Sequence, residues 1–280
     1  MDRECAIALR KELGIEGRLD FRRVAGELNL SIREVDSQGF DGALVRSHSE
    51  IKGIIYVRRS IKEQGRKRFT MAHEIGHFIL HADRKVSCSP SDIESWAEGQ
   101  ANPERQADGF ASELLLPSCE VREQIGTQWP SFQTVTTIAD YFGASLTATA
   151  RQYSNVAPHN CAVVWSVEGK IRWMYSSPRF GYWVPVGQNL GPGSFAAKVF
   201  EGGAVPQEMQ EVAAEDWISS YWLLEDAVIW EQSIAMPNYK GCLSLLWVKR
   251  DIERRPTAED ELLQELDPTE FTHQRKKWPR

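Results

Sequence analysis

Along the first half of the chain apolar residues fall at helical spacing, with short alternating runs between; along the second half alternation prevails. Residues 4–29 predict two short helices. The first has apolar Ala6, Ile7, Leu9 and Leu13 and stops at Gly14. The second runs over 21–28, with Asp20 as its cap. Strand patterns follow at 31–35, 42–45 and 53–57. A basic run, RRSIKEQGRKR, then leads into a helix holding RFTMAHEIGHFILH. That run reads as a solvated loop before the helix rather than a nucleic-acid patch. Beyond the polar stretch 82–102, PERQADGFASELLLP restores the helical pattern. Pro103 stands in a helix-start position, Pro117 marks the stop, and Ala107, Phe110, Ala111, Leu114 and Leu115 share a face.

Residues 133–153 read as a helix-turn-helix: Ala139 and Gly143 have the spacing of its tight turn, and Ser145 can cap the second helix. A DNA-reading helix needs basic and amide side chains, and this one offers only Arg151 and Gln152, so a buttressing or substrate-contacting role is expected. From Cys161 the runs CAVVWSV, KIRWMYS, AVIWEQSIAM and CLSLLWVKR read as strands. Seven of the ten Trp lie between Trp165 and Trp247, and most are expected to fill a sheet core. A boundary is placed near Ala157-Pro158-His159, and 251–280 reads as a charged tail.

A length of 280 residues with 42% hydrophobic composition supports two modest folded domains. The net charge of −6 argues against non-specific coating of nucleic acid. The sequence has neither a membrane span nor the apolar start of a signal peptide. Its five cysteines are scattered and odd in number, which points to a reducing cytoplasm.

The chemistry concentrates in His73-Glu74-Ile75-Gly76-His77, an HExxH pattern. On a helix, i and i+4 lie on one face, so two imidazoles can reach one zinc ion. Glu74 beside them can act as general base toward a water activated by the metal. A catalytic zinc needs a third protein ligand. Glu94, Glu98, Glu104, Asp108 and Cys88 are candidates, and Glu104 is favoured because it begins a helix able to pack on the first. Asp108, one turn on, can accept the outer N–H of a ligating imidazole. His81 is read as a packing or supporting residue. Cys88 could fill the open position as a latency ligand, or be a thiol with no role. An extended substrate could pair with residues 53–57, taken as an edge strand, and Tyr56 is one possible oxyanion donor.

RFTMAHEIGHFILH followed by ERQADGFASELLLP resembles the ImmA/IrrE family of metallopeptidases, whose pattern is RFT-AHE-GH and then E--A(N/D)-FA--LL-P. The likeness covers roughly residues 5–155. It implies an α+β chain: a zincin-like, gluzincin-type metallopeptidase domain at 1–117 and a helix-turn-helix-like unit at 118–157. It implies zinc on His73, His77 and Glu104, Glu74 as base, and a helix-turn-helix repressor as substrate, cut to relieve repression. Residues 158–250 resemble the mixed α/β GAF-like sensor domain of the IrrE branch, through layout and a VPVG…GGAVP…W pattern. A likeness to the CapP-type peptidases of antiphage operons implies a DNA-damage signal carried by single-stranded DNA. Trp173, Tyr182 and Trp183 near Lys170, Arg172 and Arg179 could stack its bases and hold its phosphates. The competing reading is a regulator that binds a repressor or DNA without cutting. Retention of Glu74 beside both histidines argues against it, because binding alone needs no base.

Overall fold

The computed structural model describes residues 2–47, 51–81 and 102–253. It is α+β and divides into two compact units, Met1–Gln128 with Gln133–Val156, and Trp129–Phe132 with the described residues from Ala157 onward. Cys88, Glu94, Glu98 and the tail from residue 254 lie outside the described residues.

The first unit opens with α1 (Asp2–Glu12) and α2 (Phe21–Glu27). Asp20 caps α2 as expected, accepting from the backbone N–H of Arg22 and Arg23. On α1 the buried face is Ala6, Leu9 and Arg10, and Ile7 is exposed, contrary to the helical pattern. Arg10 takes the inner position because its fork is fully used: it donates to the Leu114 and Gly17 carbonyls and pairs with Glu120 at 2.8 Å.

Strands β1 (Leu30–Val35), β2 (Gly42–Arg46) and β3 (Gly53–Arg58) form a sheet in the order β1-β3-β2. β3 runs parallel to β1 and antiparallel to β2, so both of its edges are hydrogen-bonded. The expectation that residues 53–57 are an edge strand is therefore wrong. The β2–β3 hairpin and the parallel crossover from β1 together enclose β3, and β2 becomes the edge.

Helix α3 spans Gln64–Leu80, longer at its start than the sequence reading allowed. The end of the basic run is helical, and its charges meet carboxylates of the sheet and its loops. Lys67 pairs with Glu34 at 2.6 Å, Arg66 with Asp41 at 2.5 Å and Arg59 with Asp36 at 2.9 Å. Arg68 turns inward to the carbonyls of Leu19 and Phe142 and lies over the Phe21 ring. The run is therefore not a loop throughout, and its Arg59, Arg66 and Lys67 are paired with carboxylates.

Helix α4 (Pro103–Leu115) packs against α3. Gly76 makes the approach possible: a Cβ there would sit 3.1 Å from a ring carbon of Phe110 and 3.2 Å from the Cα of Ala107. α5 (Ser118–Ile125), α6 (Phe132–Phe142) and α7 (Leu146–Val156) complete the helices of this part of the chain. α6 and α7 form the expected helix-turn-helix. The Ser145 hydroxyl caps α7 by accepting from the N–H of Ala148 at 3.2 Å.

The second unit is an antiparallel sheet of β4 (Cys161–Val167), β5 (Lys170–Ser176), β6 (Gln210–Ala213), β7 (Val228–Met236) and β8 (Gly241–Trp247), ordered β5-β4-β8-β7-β6. One short helix, α8 (Phe195–Phe200), belongs to it. β6 and α8 escaped the sequence reading because each is too short to show a period. Ala162, Val164, Phe180, Trp217 and Leu246 lie in its core. Wholly buried Glu231 on β7 accepts from the N–H groups of Phe195 and Ala196, from Trp217 Nε1 and from the Ser233 hydroxyl, fastening α8 to the sheet.

Most of the tryptophans do not fill this core. Trp217 and Trp247 are buried, Trp183 is exposed, and Trp165, Trp173, Trp222 and Trp230 are half-buried. Strand register explains this: Trp165 pairs with Trp173 and Trp230 with Trp247, all on the sheet face opposite Ala162, Val164 and Leu246.

Widening the α3–α4 contact should be costly. Gly76→Val is expected to destabilise the protein by about 1–3 kcal/mol through overpacking, read as a lower urea midpoint at unchanged slope. An unchanged midpoint would show that the helices are not held this closely.

Candidate metal centre

Helix α3 carries the HEIGH segment on its buried side. His77 is 0% and Glu74 2% exposed. The i, i+4 spacing brings the Nε2 atoms of His73 and His77 to 2.9 Å from each other. Glu104 arrives from the first turn of α4, its two carboxylate oxygens 3.1 Å from His73 Nε2 and 3.2 Å from His77 Nε2. Capping does not occupy this carboxylate. The cap of α4 is Asn102, whose side-chain oxygen accepts from the Glu104 N–H at 2.9 Å, with Pro103 in the first turn. Sequence reasoning missed Asn102, although Asn directly before a helix-starting Pro is a legible signal.

These donor atoms fit a zinc ion. Tetrahedral zinc with bonds of about 2.0–2.1 Å holds its ligand atoms roughly 3.3 Å apart. The distances of 2.9, 3.1 and 3.2 Å lie slightly inside that edge length. Among the described residues His73, His77 and Glu104 are the group of ligating side chains close enough to hold a metal. Two imidazole nitrogens and a carboxylate in one cluster require a cation between them. In the metal-free protein a proton serves. Burial alone would depress the His73 imidazole, but hydrogen bonds to Asp108 and Glu104 outweigh it and lift the group to about 9. The same histidines hold the Glu104 carboxyl well below the usual carboxylate range.

Asp108 stands where the spacing put it, with Oδ1 2.9 Å from His73 Nδ1. It accepts the outer N–H and so turns Nε2 toward Glu104 and His77. His81, in the C-cap position of α3, lies behind His77, with its Nδ1 3.0 Å from His77 Nδ1. It supports the site and does not join the ligand cluster.

Glu74 points at β2. A Cβ on Gly42 would fall 2.6 Å from Glu74 Oε1, so the strand approaches the carboxylate as closely as only glycine permits. Burial raises the Glu74 carboxyl above its usual range, against the pull of His73 and His77. Its Oε2 is buried without a hydrogen-bond partner among the described residues. A buried unsatisfied acceptor costs about 1–3 kcal/mol, so a polar group reaching this oxygen would be stabilised there. Arg46, at the other end of β2, donates to the carbonyls of His77 and Phe78 and lies over the Phe78 ring, joining edge strand to helix end. Neither Gly42 nor Arg46 was marked by the sequence, because their roles depend on the strand order.

Tyr56 does not serve this site. In the antiparallel register Val57 pairs with Gly42 and Tyr56 with Ala43. Gly42 faces α3, so Val57 does too, and Tyr56 points to the opposite side of the sheet. The proposed oxyanion role is withdrawn on that geometry.

The profile of the IrrE N-terminal-like domain of the M78 peptidases matches residues 25–154. Curated protein sequences yield no match. Among solved structures, a Mycobacterium tuberculosis transcriptional regulator is similar at 12% identity with a TM-score of 0.54, over 88% of this chain and 76% of that chain. At that identity the likeness concerns the fold alone. Among the described residues no helix is long and apolar enough to cross a membrane, and Cys5, Cys119, Cys161 and Cys242 are free thiols.

Zinc added to the protein must displace the proton on His73. The raised imidazole stays protonated up to about pH 9, so zinc affinity should rise with pH through neutrality and level off above that value. Competition with a chelator at stepped pH measures this, and an affinity flat between neutral pH and 9 would contradict the proton-for-metal exchange.

Proposed function

We propose, from the match of residues 25–154 to the IrrE N-terminal-like domain of the M78 peptidases, that the protein is a zinc-dependent, site-specific endopeptidase that cleaves a helix-turn-helix transcriptional repressor. The observation that carries the reading is the convergence of His73 Nε2, His77 Nε2 and the Glu104 carboxylate, with the Glu74 carboxylate buried alongside. We take the fold of residues 1–117 as zincin-like, the helices of 118–157 as its support, and 158–250 as a GAF-like sensor domain.

His73, His77 and Glu104 would hold the ion, and Asp108 would fix the His73 tautomer. Zinc, when bound, supplies Lewis acidity that makes water nucleophilic at neutral pH and polarises the scissile carbonyl. Glu74 receives the proton from the attacking water and delivers it to the leaving amine. Its desolvated setting suits it to take up that proton, since burial raises the carboxyl above its usual range. The substrate segment adds as a strand to β2, the sheet edge beside Glu74, rather than to the enclosed β3. Gly42 leaves the clearance for Glu74 under that strand.

The substrate class follows from the family likeness, as does a stress signal that single-stranded DNA would carry to the second unit. Half-buried Trp173 and exposed Trp183 are available there for stacking.

Co-incubation with the helix-turn-helix protein encoded by the adjacent gene, with and without single-stranded DNA, tests the assignment. The zinc-loaded protein should make one cut. Glu74→Gln should retain its metal and lose about 100-fold or more in cleavage rate, the range for removing a general base. Equal cutting by that variant would refute the mechanism.

A further inference from the structure

We infer that His81 and Gln106 form a positioning pair that sets the ring of His77 for its metal, an assignment that rests on the metal-binding reading above. A ring nitrogen can ligate only when bare. His77 presents Nε2 to the cluster, 2.9 Å from His73 Nε2 and 3.2 Å from Glu104 Oε1, so the one proton of its neutral ring must sit on Nδ1. A buried N–H needs an acceptor. For His73 the acceptor is the Asp108 carboxylate. For His77, Nδ1 lies 3.0 Å from another ring nitrogen, His81 Nδ1.

That nitrogen accepts only if the His81 proton lies on Nε2. Nε2 of His81 is 3.0 Å from Oε1 of Gln106 on α4. The chain of donors then has one direction: Gln106 Oε1 accepts from His81 Nε2–H, and His81 Nδ1 accepts from His77 Nδ1–H. His77 Nε2 is left with its lone pair toward the cluster. Run in reverse, with the Gln106 amide turned to donate, the chain would place a proton on His77 Nε2 and bar it from the metal. The orientation of one amide therefore selects between a ligating and a non-ligating histidine. The relay is well insulated from water, with His77 0% and His81 7% exposed, so a mismatched proton would leave a buried polar atom unsatisfied. Glu104, Gln106 and Asp108 all come from α4, so one helix supplies a ligand and the last acceptor behind each histidine.

Gln106 can donate or accept; a carboxylate at neutral pH can only accept. Zinc affinity of the full chain, by chelator competition, distinguishes Gln106→Glu from Gln106→Leu. Gln106→Leu should weaken zinc binding about 10–100-fold, the usual loss when the partner of a ligating histidine is removed. Gln106→Glu should bind as tightly as the native chain or more so, and His81→Phe should weaken binding like Gln106→Leu. A purely packing role predicts that both Gln106 substitutions lower the melting temperature of the metal-free protein while leaving affinity unsplit. Native-like affinity in Gln106→Leu, or equal weakening in both Gln106 variants, overturns the inference while leaving the metal site standing. A native chain that takes up no zinc overturns the metal reading and this inference with it.

Discussion

The close approach of α3 and α4 at Gly76 is the constraint on which the site depends. HEIGH alone supplies two imidazoles and a carboxylate on one helix, and a helix cannot curl its own next turn round to finish a tetrahedral cluster. The third donor must come from elsewhere in the chain, at ångström accuracy. Gly76 removes the side chain that would hold α4 away, Phe110 and Ala107 fill the contact, and Asn102 ends α4 so that Glu104 emerges over the histidines. Packing thus sets coordination geometry before any ion arrives, and the cost of holding like-polarity atoms together is met by a proton on His73.

The surroundings extend that logic. Each histidine is gripped from behind, His73 by the Asp108 carboxylate and His77 by the ring of His81. Glu74 is left with an oxygen that no described residue satisfies. Structural carboxylates in this protein look different: Glu231 is equally buried but accepts four hydrogen bonds. Among the described residues Glu113, as buried as Glu74, is likewise hydrogen-bonded, accepting from the Ser118 N–H and hydroxyl, and the contrast with Glu74 separates a fastening role from a chemical one.

Much of the first unit was legible because its signals are local. Period fixes α3 and α4, Asp20 announces α2, and helical spacing pairs His73 with His77 and Glu104 with Asp108, each within one helix. The readings that failed depended on non-local facts. Whether residues 53–57 form an edge or a centre depends on where β1 returns, and Tyr56 lost its role with that answer. Gly42, Arg46 and Gln106 have no signature, because each matters only through the strand or helix that packs beside it. Arg10 replaced Ile7 on the inner face of α1 since its hydrogen bonds, invisible in a hydropathy pattern, outweigh apolar burial. In the second unit register, not hydrophobicity, decided which tryptophans were covered.

Anomalous diffraction at the zinc edge from crystals of the metal-loaded protein tests the central claim most directly. The account predicts a single peak within about 2.0–2.2 Å of His73 Nε2, His77 Nε2 and a Glu104 oxygen, with Asp108 still on His73 Nδ1. A peak bound through Nδ1 of either histidine, or lying away from Glu104, would contradict it.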